Sequence, residues 1–238
     1  VTRRGWLVGT RRFVASWQPA LVAARCSDAI TALAVQEAVP PSDPDALSRA
    51  LRARGHDLLL LTSPEALRFT QPKDVEGWAA ACVGWRTAAA AEAAGVDVPF
   101  LVQGGAADLA SLLLQDAPGL ERVLFVCGAQ HRMEAVEILR QGGVAVDLIE
   151  AYGMQTVPEL DTIVRGVPTP DWILVGSPRA LDLLLEALGD ERPVAATKWL
   201  GLGATTVEHG AQLGLEIEAL AAPMPQALIM ELERERHA

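Results

Sequence analysis

Asp57-Leu58-Leu59-Leu60-Leu61-Thr62-Ser63-Pro64-Glu65-Ala66-Leu67 returns 114 positions later as Asp171-Trp172-Ile173-Leu174-Val175-Gly176-Ser177-Pro178-Arg179-Ala180-Leu181. Each copy reads as a buried apolar strand, a Ser-Pro turn and the start of a helix. A second pair follows at a shift of 119: Val83-Gly84-Trp85-Arg86-Thr87-Ala88 with Gly95-Val96-Asp97-Val98 matches Leu202-Gly203-Ala204-Thr205-Thr206-Val207 with Gly214-Leu215-Glu216-Ile217. Two copies of one strand–turn–helix programme predict two similar α/β lobes. The hydroxyls of Thr62, Ser63, Thr87, Ser177 and Thr206 fall at strand-to-helix turns, where open α/β sheets bind ligands.

The length of 238 residues fits one or two domains, and the repeat favours two of about 100–120 residues each. Half of the residues are hydrophobic, enough for a core in each lobe. The net charge of −10 argues against a nucleic-acid partner, which rewards a clustered basic footprint. Any anionic ligand must then be held locally, by backbone N–H groups, helix N-termini or a few placed Arg residues. Cys26, Cys82 and Cys127 are far apart and odd in number, and read as free thiols of a reducing compartment. His56, His131, His209 and His237 form no metal-ligand spacing, so no metal is expected. No run of 18 apolar residues predicts a membrane span, and the basic N-terminus does not read as a signal peptide. A cytoplasmic monomer without a membrane partner is expected.

Along the chain, strands are predicted at Trp6–Thr10, Thr31–Val39, Leu58–Leu61, Ala80–Val83, Phe100–Val102, Arg122–Val126, Ala145–Ala151, Ile173–Val175, Val194–Ala196 and Glu216–Leu220. Helices are predicted over Val14 to about Arg25, from Ser42-Asp43-Pro44 to about Arg54, after Pro64, over Thr87–Ala94, Ala107–Leu114, Glu134–Arg140 and Glu159 to about Arg165, and after Pro178, Thr206 and Pro225. The alternation predicts mainly parallel sheets flanked by helices. Each half begins with a strand and a helix, then an extended segment, then the repeat proper. Those two extended segments can carry the chain from one lobe to the other.

Several spaced motifs, in order, resemble the uroporphyrinogen-III synthase family over nearly the whole chain. They are Thr10-Arg11 after the first strand, Thr62-Ser63-Pro64-Glu65-Ala66, Gly84 to Ala88, and Cys127-Gly128 with Arg132, Gly143 and Ala151-Tyr152. Ser177-Pro178, Gly203-Ala204-Thr205-Thr206 and Pro223-Met224-Pro225-Gln226-Ala227-Leu228 complete the set. Gly176, standing where the first copy has Thr62, departs from the pattern, as do Arg12 and the bulky Trp85-Arg86 and Lys198-Trp199.

The resemblance implies two interleaved lobes joined by a two-stranded connection, one of residues 1–34 with 157–238 and the other of residues 35–156, with the active site in the cleft between them. The implied reaction is the cyclising dehydration of hydroxymethylbilane, a linear tetrapyrrole, with inversion of its last ring and no cofactor. Tyr152, the only Tyr, is the candidate hydrogen-bond donor to the departing hydroxyl; the alternative is an aromatic that packs the hinge. Arg11, Thr62, Ser63, Thr87, Ser177 and Thr206 are the candidate substrate-binding residues. For Ser63, Thr87, Ser177 and Thr206, helix capping is expected beside ligand contact. The rival function is a two-lobed small-molecule sensor or a subunit of a larger assembly, since fold does not fix function.

Overall fold

The computed structural model describes residues 3–25, 29–189 and 197–236. The strands among these residues are β1 (Arg4–Thr10), β2 (Ala29–Val39), β3 (Leu58–Leu61), β4 (Ala79–Val83), β5 (Asp97–Val102), β6 (Arg122–Gly128), β7 (Ala145–Thr156), β8 (Trp172–Val175), β9 (Lys198–Gly201) and β10 (Ile217–Ala219). The helices are α1 (Arg11–Ala24), α2 (Ala46–Ala53), α3 (Pro72–Val75), α4 (Trp85–Ala93), α5 (Ala106–Asp116), α6 (Glu134–Gln141), α7 (Leu160–Arg165), α8 (Pro178–Leu188), α9 (Ala204–Gln212) and α10 (Pro225–Arg236).

Packing divides the chain into two units, Val1–Glu37 with Gln155–Ala238, and Ala38–Met154. The boundary falls inside β2 and inside β7. The discontinuous unit carries a parallel sheet in the order β10-β9-β8-β1-β2, and the continuous unit one in the order β7-β6-β3-β4-β5. Both faces of each sheet are buried, which is why the strands read as unbroken apolar runs. In the continuous unit, Leu59 and Leu61 pack with α2 and α4, while Leu58 and Leu60 pack with α5 and α6. In the other unit, Trp6 and Val8 face α7 and α8, while Leu7 faces α1 and α10.

Three expectations need correction. First, no helix follows Pro64. Residues 64–69 are turns, closed by bonds such as Ala66 N–H to Ser63 C=O and Arg68 N–H to Glu65 C=O, both 3.1 Å. The reason is Pro72: it forces Gln71 out of the helical region (φ −74°, ψ 135°), leaving too few residues for a stable helix. Second, Thr87 and Thr206 are not N-caps. Gly84 and Gly203 hold those positions, and each Thr lies one turn into its helix, buried. Third, Ser63 caps no helix; its hydroxyl accepts from Glu65 N–H at 3.2 Å within the turn. Ser177 does cap α8, accepting from Ala180 N–H at 3.2 Å, and Thr10 caps α1 the same way through Phe13 N–H. The predicted strand Val194–Ala196 lies outside the described residues, as do Cys26 and His237; the strand found next to it is β9.

Candidate functional site

In both units the polar turns open at the carboxyl ends of parallel strands. In the continuous unit these are Thr62-Ser63 after β3, Gly84 to Thr87 after β4, and the segment after Gly128 of β6. Tyr152 reaches this edge because β7 carries a bulge: Cys127 pairs with Glu150, but Gly128 pairs with Tyr152. Successive strand residues ordinarily face opposite sides of a sheet. The bulge instead sends both Ala151 and Tyr152 to the face shared by α2 and α4. Ala129 N–H donates to Tyr152 C=O at 2.9 Å and closes the edge.

The Tyr152 ring lies over Gly128. A Cβ added there would stand 2.7 Å from ring carbon Cζ and 3.0 Å from the phenol oxygen, so any side chain there must displace the ring from this seat. The half-buried phenol lies close to the Ser63 side chain. Burial pushes its pKa above the usual 10.0; the nearby Ser63 hydroxyl pulls the other way, and Cys127 and Glu65 nearby add to the rise. Burial likewise pushes the Cys127 thiol up to about 12, helped by Glu150. Glu65 is buried and paired with Arg68 at 3.1 Å. Thr62 is half-buried beside Ser63.

In the discontinuous unit, Gly176, Ser177, Pro178, Leu202, Gly203 and Thr206 line a hollow of about 280 Å³ with Thr205 and Pro223. Ser177 and Thr206 are thus brought to one place. Gly176 lacks the hydroxyl of its counterpart Thr62 because a Cβ would press on the Phe13 ring at 3.1 Å and on Val8 C=O at 3.3 Å. Arg11 is paired with Glu37 at 2.6 Å, and Glu37 also accepts from Gln155 Nε2 at 3.2 Å. A ligand carboxylate at Arg11 would compete with that pair. Lys198 is held by Glu218 and Glu231 at 3.0 and 2.8 Å. Arg86, Arg132 and Arg179 are exposed. In the sequence Gly128 stands only as part of a motif; its task of seating the phenol ring is not legible there, nor is the Arg11–Glu37 pair.

These features define a class: an α/β protein of two units alike in topology, whose polar turns gather where parallel sheets take small molecules. The family described as uroporphyrinogen-III synthase HemD matches residues 29–229. The chain belongs to that family, whose members are cofactor-independent lyases of tetrapyrrole and heme biosynthesis. Among solved structures it is similar to uroporphyrinogen-III synthetase from Helicobacter pylori, with TM-score 0.69, 14% identity, and 99% of this chain and 100% of that one covered. It is similar also to a mutant uroporphyrinogen III synthase from the extremely thermophilic bacterium Thermus thermophilus, with TM-score 0.62, 18% identity and 100% of both chains covered. At such identities the likeness speaks for the fold. No curated protein matches the sequence. Among the described residues no helix is long and apolar enough to cross a membrane.

Proposed function

We propose that the protein closes hydroxymethylbilane to uroporphyrinogen III, inverting the last pyrrole ring, in a cleft between its two lobes. The observation that carries this reading is the Tyr152 phenol, half-buried at a sheet's carboxyl edge over Gly128 and near Ser63, its pKa pushed further above the usual 10.0 by burial. Loss of the terminal hydroxyl as hydroxide is slow; a neutral phenol donating to it lets it depart as water. The adjacent pyrrole supplies the electrons as the C–O bond breaks, and an azafulvene forms. The substituted carbon of the last ring attacks that methylene to give a spiro intermediate. Fragmentation and re-closure at the other position leave the ring inverted, and loss of a proton restores aromaticity. One water is released overall, and the lost proton can return to the phenolate.

The protein's larger contribution is positioning, since unassisted closure joins the unsubstituted carbon and gives the type I isomer. Carboxylate arms would be held by backbone N–H groups at the Gly84 and Gly203 turns and at the hollow lined by Ser177 and Thr206. Arg11, Thr62, Ser63 and Thr87 complete the proposed binding set, Thr87 acting from inside its helix turn rather than by direct reach. The test is the isomer ratio formed from hydroxymethylbilane by the purified protein. Type III product supports the reading. A mixture identical to the protein-free control, with tight tetrapyrrole binding, would make the chain a sensor instead.

A further inference from the structure

Of the six tryptophans, five belong to the core: Trp6, Trp17, Trp78, Trp172 and Trp199 are between 2% and 8% exposed. Trp85 is 52% exposed. It is the first residue of α4, directly after the Gly84 turn that ends β4. The repeat supplies an internal control for its structural value. Gly203-Ala204-Thr205-Thr206 also opens its helix with a glycine cap and a buried threonine, with Ala in place of Trp, although Gly203 is extended (φ −163°) where Gly84 has φ 78°. A glycine-capped helix start with a buried threonine therefore does not need an indole at its first position. Nor does the core claim it: α4 is buried through Thr87, Ala88 and Ala91.

The placement of Trp85 is specific. β4 neighbours β3, and their carboxyl ends carry Gly84 and Ser63. Adjacent strands lie about 5 Å apart, so the turn bearing Trp85 borders the Thr62-Ser63 turn, near the Tyr152 phenol. Both α4 and the Tyr152 ring pack on the same sheet face. A flat apolar surface of this kind, beside a hydrogen-bond donor and helix-start N–H groups, suits a flat ring that carries acidic arms.

We infer that Trp85 is a stacking platform for one pyrrole ring of the tetrapyrrole, holding it beside Tyr152. This assignment rests on the functional reading above. Replacing Trp85 by Ala gives α4 the first residue that α9 already has and removes a side chain the core does not use, so Trp85→Ala keeps the fold, as circular dichroism would check. The variant should raise KM for hydroxymethylbilane about 3- to 10-fold, the loss of one aromatic stack, and leave kcat within about twofold. Trp85→Phe should recover part of the affinity. A direct readout is acrylamide quenching of tryptophan emission. Uroporphyrinogen III, kept reduced, should shield the exposed indole in the wild type and change nothing in Trp85→Ala. Wild-type protein that makes type III isomer while Trp85→Ala shows unaltered KM, or while bound uroporphyrinogen III leaves quenching unchanged, would overturn the platform alone. Wild-type protein that makes no type III isomer would overturn the functional reading and this assignment with it.

Discussion

Ser63 and Ser177 hold the same place in two copies of one turn, yet their hydroxyls answer to different partners. Ser177 caps an 11-residue helix, as Ser before Pro at a helix start should. Ser63 is followed by only seven residues before Gln71-Pro72 shuts the segment down, so no long helix can use it. Its hydroxyl instead accepts from Glu65 N–H within the turn and lies near the Tyr152 phenol. The bulge that delivers Tyr152 exists in both units: in the other sheet Gly9 pairs with Ala34 but Thr10 pairs with Gln36. Gln36 thus stands where Tyr152 stands. One scaffold was kept twice, and a titratable phenol was installed in only one copy.

The largest effect that separates the two units should come from alkali. Cys82 and Cys127 both lie in the unit with Ser63, and burial pushes their thiols from the ordinary 9.0 up to about 11 and about 12. Their contribution is fully present below pH 9.0 and is lost as pH rises through those raised values, on the order of several kcal/mol in total. Urea unfolding of the wild type and of a Cys82→Ala/Cys127→Ala variant, each followed from pH 8 upward, reads this. Parallel curves would remove the thiols from the account. Next in size is Tyr152→Phe. It should slow single-turnover type III formation by about 10²-fold while barely altering uroporphyrinogen III binding. Near wild-type rates would leave positioning alone to explain catalysis.

Gly128→Ala comes third. The added carbon must push the phenol ring away, and a rate loss on the order of tenfold is expected with the fold intact. If instead the ring tolerates the methyl group and the rate holds, the seat is looser than the distances imply. The smallest effects fall on the two serines themselves. Ser177→Ala should cost about 1 kcal/mol of stability for the lost cap, and Ser63→Ala only a few tenths. Ser63→Ala should also move the phenol pKa further upward, because the nearby hydroxyl it removes favours the ionised form. Tyr152 is the only tyrosine, so ultraviolet titration reports it without interference. Equal stability losses in both serine variants would erase the distinction between the turns.

The legible parts are those set by apolar run and turn chemistry. Leu58–Leu61 and Trp172–Val175 read as strands because both faces are buried, and Ser177-Pro178 reads as a helix start because both residues favour one. What escapes depends on neighbours in space. Strict alternation puts Tyr152 on the face opposite Ala151, and only the bulge reverses that. Thr87 and Thr206 look like caps because glycine gives no side-chain signal at the cap itself. The Phe13 ring explains Gly176, from a helix more than 150 residues away in sequence. Trp85 looks merely bulky until the accessibility of all the described tryptophans can be compared.

The strand orders carry a genetic consequence. The first half of the chain supplies β1 to β5 and the second half β6 to β10, copy against copy. Yet one sheet is built from β1 and β2 with β8, β9 and β10, and the other from β6 and β7 with β3, β4 and β5. Each sheet therefore borrows two strands from one copy and three from the other, the reciprocal exchange of a domain-swapped dimer carried out within a single polypeptide. The halves of the gene are not the halves of the fold. Neither fragment made by dividing the chain between α5 and β6 holds all the strands of either sheet; each sheet is complete only when both fragments are together.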